Sequence, residues 1–176
     1  LYANGGNIQY KGNIIMGGSS LLVNSGTTLD NDGGNYKGTG NIGIFGSNGK
    51  TITLNGDLVT YNSDGNAKDG VGVYSSVGST VNLNGKTDIK MDSVDANKGA
   101  TALYAIDSGS VINVTTGNGS KIEINGGTTK KGTALFVKDG GVINANGIEI
   151  NVTDGAAAIA TKGSGNINAQ STKITY

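Results

Sequence analysis

"TITLNG" at residues 51–56 and "TVNLNG" at residues 80–85 state nearly the same pattern 29 residues apart. Neither copy holds a nucleophile, a base or a strong metal ligand, so shared chemistry does not explain the duplication. An internal structural repeat does. Extending the match gives three short runs per unit. The first runs are "NIIM" (13–16), "GIFG" (43–46), "GVYS" (72–75), "ALYA" (102–105), "ALFV" (134–137) and "AAIA" (157–160). The second are "SLLVN" (20–24), "TITLN", "TVNLN", "SVINV" (110–114), "GVINA" (141–145) and "GNINA" (165–169). The third are "TTLDN" (27–31), "DLVTY" (57–61), "TDIKM" (87–91), "SKIEI" (120–124), "GIEIN" (147–151) and "TKITY" (172–176).

Equivalent residues keep their spacing. Ile15, Ile44 and Val73 follow one another at intervals of 29, with Leu103 and Leu135 at further intervals of 30 and 32, and Leu29 is matched to Leu58. Within a run apolar and polar residues alternate, the period of a strand with one buried face. Gly, Asn and Asp punctuate the runs, as turns with positive φ require, and no stretch shows the 3.6-residue spacing of a helix. An antiparallel sandwich has no need of a unit that matches side chain for side chain. A solenoid does, because each side chain then stacks on its equivalent one coil away, ~4.8 Å along the axis. The expectation is an all-β fold: one right-handed parallel β-helix over residues 1–176, with about six coils and three short strands per coil. Ordering a coil at ~1–2 kcal/mol per residue outweighs about six buried apolar side chains at ~1.5–3 kcal/mol each. A coil is therefore stable only when stacked on others.

On this register Asn55, Asn84, Thr115, Asn146 and Gln170 share one corner, where amides can form a hydrogen-bonded ladder. "LNG" recurs because it is that corner.

Composition narrows the chemistry. The chain of 176 residues has 32 Gly and no Cys, His, Pro or Trp, and every one of its 13 basic residues is Lys. There is no Ser-His or Cys-His pair, no Zn site of the usual ligands and no guanidinium fork. With a formal net charge of zero and no basic block, nothing points to nucleic acid. Cofactors and metals are not expected, and no enzyme activity is. No apolar run has transmembrane length and no signal peptide is visible; the chain starts mid-pattern at "LYANGG" and reads as an excerpt of a longer protein.

Four features are candidates for recognition. Phe45, Tyr74, Tyr104 and Phe136 occupy equivalent positions beside the aliphatic Ile44, Val73, Leu103 and Leu135. If the aliphatic column points inward, the rings form an outward column suited to binding a sugar or a protein; the opposite parity, or a loop laid over the rings, would make them core. Three loops follow the third run, at 62–70, 93–99 and 126–132, and carry Asp64, Asp69, Lys130 and Lys131 as polar contacts. On the third strand Asp88 should lie beside Lys121 and Lys90 beside Glu123, as in a solvated face. The carboxylate pairs Asp30/Asp32, Asp64/Asp69 and Asp88/Asp92 have no Arg or His beside them for acid–base work.

The units "GVGVYSSVGSTVNLNG", "GATALYAIDSGSVINV" and "GTALFVKDGGVINANG" resemble the passenger repeats of bacterial autotransporters, least so over residues 1–40. That resemblance implies export through an outer-membrane barrel not contained in this chain, display at the cell surface, and an adhesin or scaffold role. The partner would be a host or bacterial surface protein or glycan, or another copy of the chain. A polysaccharide-active β-helix enzyme and a segment of a secreted pore-forming or vacuolating toxin are the alternatives.

Overall fold

The computed structural model describes residues 1–3, 6, 8–10, 14–15, 42–59, 61–62, 65–68, 70–94, 99–115 and 119–176. They form a parallel β-solenoid with three faces, each a path of six strands. The first face runs through Tyr2–Ala3, Ile42–Gly46, Gly70–Ser75, Ala100–Ile106, Thr133–Lys138 and Ala157–Lys162. The second runs through Ile8–Tyr10, Thr51–Leu54, Thr80–Leu83, Val111–Val114, Val142–Asn144 and Asn166–Asn168. The third runs through Ile14–Ile15, Leu58–Val59, Thr87–Asp92, Lys121–Asn125, Glu149–Thr153 and Lys173–Thr175. The only helical element among the described residues is a single 3-10 turn, Gly127–Thr129.

Register follows the repeat read from the sequence. Thr80–Leu83 pairs residue for residue with Thr51–Leu54 on one side and Val111–Val114 on the other. Ile44, Val73, Leu103, Leu135 and Ile159 fall in one column. On the second face burial alternates: in Thr51–Leu54, Thr80–Leu83 and Val111–Val114 the second and fourth residues are buried and the others half-exposed. The inward residues of all three faces merge into one apolar core. Its aliphatic columns stack on equivalents of similar size, so volume is conserved from coil to coil.

The "LNG" corner is built from close contacts between coils. The Asn84 amide nitrogen donates to Asn55 Oδ1 at 2.8 Å. The Lys86 backbone N–H donates to Asp57 Oδ1 at 2.7 Å, and the Leu58 N–H to the Lys86 carbonyl at 2.9 Å. The glycine is required by space: a Cβ at Gly85 would collide with the backbone carbonyl of Gly56 and the nitrogen of Asp57. Backbone atoms cannot swing aside. Gly85→Ala is therefore expected to destabilise the solenoid by about 1–3 kcal/mol, to be read from the urea midpoint at unchanged slope.

Two expectations need correction. Residues 13–16 are not a first-face run matched to Ile44; Ile14–Ile15 lies on the third face, paired with Leu58 and Val59, and the first-face strand of that coil is Tyr2–Ala3, in register with Phe45 and Gly46. Short apolar runs do not say which face they belong to, and the 29-residue spacing imposed a false match there. The runs at 20–24 and 27–31 lie outside the described residues. Secondly, the stretch 62–70 is not merely a loop. Tyr61–Asn62 and Gly65–Lys68 pair antiparallel, and Gly65–Lys68 also adds to Thr87–Asp92 through Met91 and Asp92.

The loop at 126–132 is tied to its surroundings. Asn125 Oδ1 accepts the Gly127 N–H at 2.8 Å and Thr129 Oγ1 donates to the Gly126 carbonyl at 2.9 Å. Gly132, at φ 128°, sits so close to Ile124 and Ser93 that a Cβ would clash with both.

Candidate functional site

The aromatic column exists, and it is buried. Phe45, Tyr74, Tyr104 and Phe136 are register partners on successive first-face strands. Their ring centroids are 5.2, 4.9 and 4.8 Å apart, with the first pair stacked and the next two tilted by 38° and 32°. The aliphatic partners Ile44, Val73, Leu103 and Leu135 belong to the main core, whereas the rings form a second cluster with Val71 and Ile106. The rings thus lie on the outer side of the first face, as the pattern implied. Yet Tyr74 is 0% exposed, Phe45 3% and Tyr104 4%. Only Phe136, which packs against this cluster, is half-buried. The expectation of an exposed apolar stripe is overturned: the first face is packed on both sides. Strict alternation fails there: Ala102 and Leu103, and Ala134 and Leu135, are consecutive residues that all pack in the main core.

Lys130 and Lys131 sit on the exposed turn between third and first faces, with Lys130 in the left-handed region at φ 51°. Asp64 and Asp69 lie outside the described residues, as do Asp30 and Asp32. Asp88 and Asp92 share one third-face strand, and Asp88 is ion-paired with Lys86 at 3.1 Å. Among the described residues no group of three or more acidic side chains is placed to hold a metal ion.

The third face carries an ion-pair ladder. Asp88 is in register with Lys121 and Lys90 with Glu123. Lys90 reaches Glu123 at 3.0 Å, Lys121 reaches Glu123 at 2.7 Å and Glu149 at 3.8 Å, and Lys173 reaches Glu149 at 4.0 Å. Burial pushes the Glu123 carboxyl up, but hydrogen bonds from Lys121 and Lys90 outweigh it and leave the group below its usual 4.5. The hydrogen bond to Glu123 raises Lys121 above its usual 10.5, against some desolvation. A lowered carboxyl contributes stability that is present above 4.5 and lost as pH falls through the lowered value; a raised lysine contributes below 10.5 and loses it as pH rises further. The ladder is intact between those limits. Partial exposure keeps its worth to a few tenths to ~1 kcal/mol. Glu123→Gln is expected to lower stability at pH 7 by that amount and to flatten the acid limb of a melting-temperature profile below 4.5.

A second ladder was not anticipated. On the second face the amide nitrogen of Asn113 donates to Asn82 Oδ1 at 2.8 Å, Asn144 to Asn113 at 2.8 Å, and Asn168 to Asn144 at 2.6 Å. Asn82 in turn reaches Thr53 Oγ1 at 3.4 Å. All four donate toward the start of the chain, so each bond polarises the next. The signal was in the sequence, as the Asn between the two apolar residues of "VNL" and "VINV". The ladder expected at the corner is shorter, with Asn84 on Asn55 through their side chains and Asn146 Oδ1 accepting the Gln170 backbone N–H at 2.7 Å.

Compared with known proteins, the chain matches no family model, no curated protein and no solved structure. Among the described residues no helix is long and apolar enough to cross a membrane.

Proposed function

We propose that this chain is a rigid β-solenoid segment of an autotransporter-like surface protein, which displays its lateral faces to a host or bacterial cell surface and carries out no catalysis itself. The observation that carries this reading is the register: equivalent side chains stack coil upon coil, so each face is a repeated array. Arrays suit many weak, equivalent contacts, whereas catalysis asks different groups to converge on one atom. The likeness of "GVGVYSSVGSTVNLNG" and its sister units to passenger repeats supports export and display.

The test is antibody labelling of intact cells of the source organism, with and without permeabilisation, together with saturable binding of the fluorescent chain to candidate target cells. Labelling of intact cells is the expected result. Labelling only after permeabilisation would overturn display.

A further inference from the structure

We propose that the second face is a docking surface for an uncharged polysaccharide lying along the solenoid axis. Its centre line is the ladder Thr53, Asn82, Asn113, Asn144 and Asn168. These side chains are half-exposed. The flanking columns, from Thr51 to Asn166 and from Asn55 to Gln170, consist only of Thr, Asn, Gln and Val. The outward positions of the third face, on the same scaffold, are instead dominated by charge.

Uncharged does not mean saturated. A carboxamide has two N–H donors and an oxygen with two lone pairs. Within the ladder Asn113 and Asn144 each spend one N–H and one lone pair on their neighbours, leaving a donor and an acceptor per rung. The row repeats every ~4.8 Å and extends about 19 Å over the five coils from Thr53 to Asn168. Val111 and Val142, half-exposed beside it, offer apolar contact between the polar rungs.

Among the described residues the elements inserted between strands branch from the third face and not from the second. Gly65–Lys68 and Gly127–Thr129 both fall between a third-face strand and the next first-face strand. The connections into the second face, at 47–50, 76–79, 107–110, 139–141 and 163–165, are short.

An occupant must be long, repetitive, rich in hydroxyls and neutral. A polyanion would find no cation here, and a protein partner would find none of the aromatic or Arg anchors that carry such interfaces. A neutral polysaccharide meets all four requirements, with weak contacts summed along its length. This deepens the display proposal and rests on it for where the glycan is encountered.

The experiment is co-sedimentation of the purified chain with cellulose and with chitin, and affinity electrophoresis in gels containing amylose, with heparin and polygalacturonate as charged controls. Binding to at least one neutral polymer and to neither control is expected. A variant with Asn113→Lys and Asn144→Lys should weaken it at least about tenfold. Because that variant also breaks the ladder, Val111→Lys with Val142→Lys, which leaves the ladder in place, should give the same loss at only the small stability cost of two lysines in register. Lys173→Ser on the third face should change nothing. Failure of every neutral polymer to bind, preference for a control, or binding that survives Val111→Lys with Val142→Lys would overturn the inference. Labelling of intact cells without glycan binding sinks this inference and leaves the display proposal standing; glycan binding without labelling does the reverse.

Discussion

Leu83→Asp is expected to abolish cooperative unfolding at room temperature, leaving a chain with no melting transition and a disordered far-ultraviolet spectrum. Leu83 is 1% exposed, one coil from Leu54 and one from Val114 in the same column. Removing the side chain alone costs about 2–5 kcal/mol, and an unpaired carboxylate in that apolar column adds several more. Domains of this size hold about 5–15 kcal/mol in total, so the sum consumes most or all of it. A solenoid also cannot confine the damage, since each coil is stable only through its neighbours. Asn82→Asp, next along the strand and outward, is the control. It loses at most one ladder bond and should cost about 1 kcal/mol. Equal melting of the two variants would mean that the inward parity of the second face is wrong.

That parity was legible in the sequence because the second and third runs obey two simple rules at once, alternation along the strand and identity between coils. Ile52 over Val81 over Ile112 satisfies both. The first face was harder for a physical reason. In "GVGVYS" all six residues are buried, so burial no longer distinguishes one side of the strand from the other, and a strand covered on both faces reads as a continuous apolar run. The small residues Ala102 and Ala134, which a strict alternation assigns to the ring side, pack instead in the main core. The first coil was misplaced for a different reason: its strands Tyr2–Ala3, Ile8–Tyr10 and Ile14–Ile15 are only two or three residues long, too short to carry a period. The amide ladder was visible but overlooked. Asn between two core residues looks like ordinary solvent-facing polarity until Asn113 and Asn144 are placed one above the other.

Replacing Tyr74 and Tyr104 together by Ser tests whether the ring column is core. An exposed column would lose little stability on such a change and would lose binding instead. The burial of Tyr74 at 0% and Tyr104 at 4% requires the opposite. Truncating one large buried ring costs about 3–5 kcal/mol, and each aromatic pair contributes a further 0.5–1.5 or so. The two rings touch at 4.9 Å, so their losses overlap and do not simply add; a total of about 4–8 kcal/mol is expected. The column is also an axial link between coils: Phe45 stacks on Tyr74, and Phe136 packs tilted against Tyr104. Cutting its middle therefore loosens the outer rings as well, and the denaturant midpoint should fall more than for either single variant. Val77→Ser, at a 42% exposed turn position, should stay within about 0.5 kcal/mol of the parent. A double variant that melts like Val77→Ser would show that the rings are dispensable to the fold, and would return the column to the list of binding surfaces from which its burial has removed it.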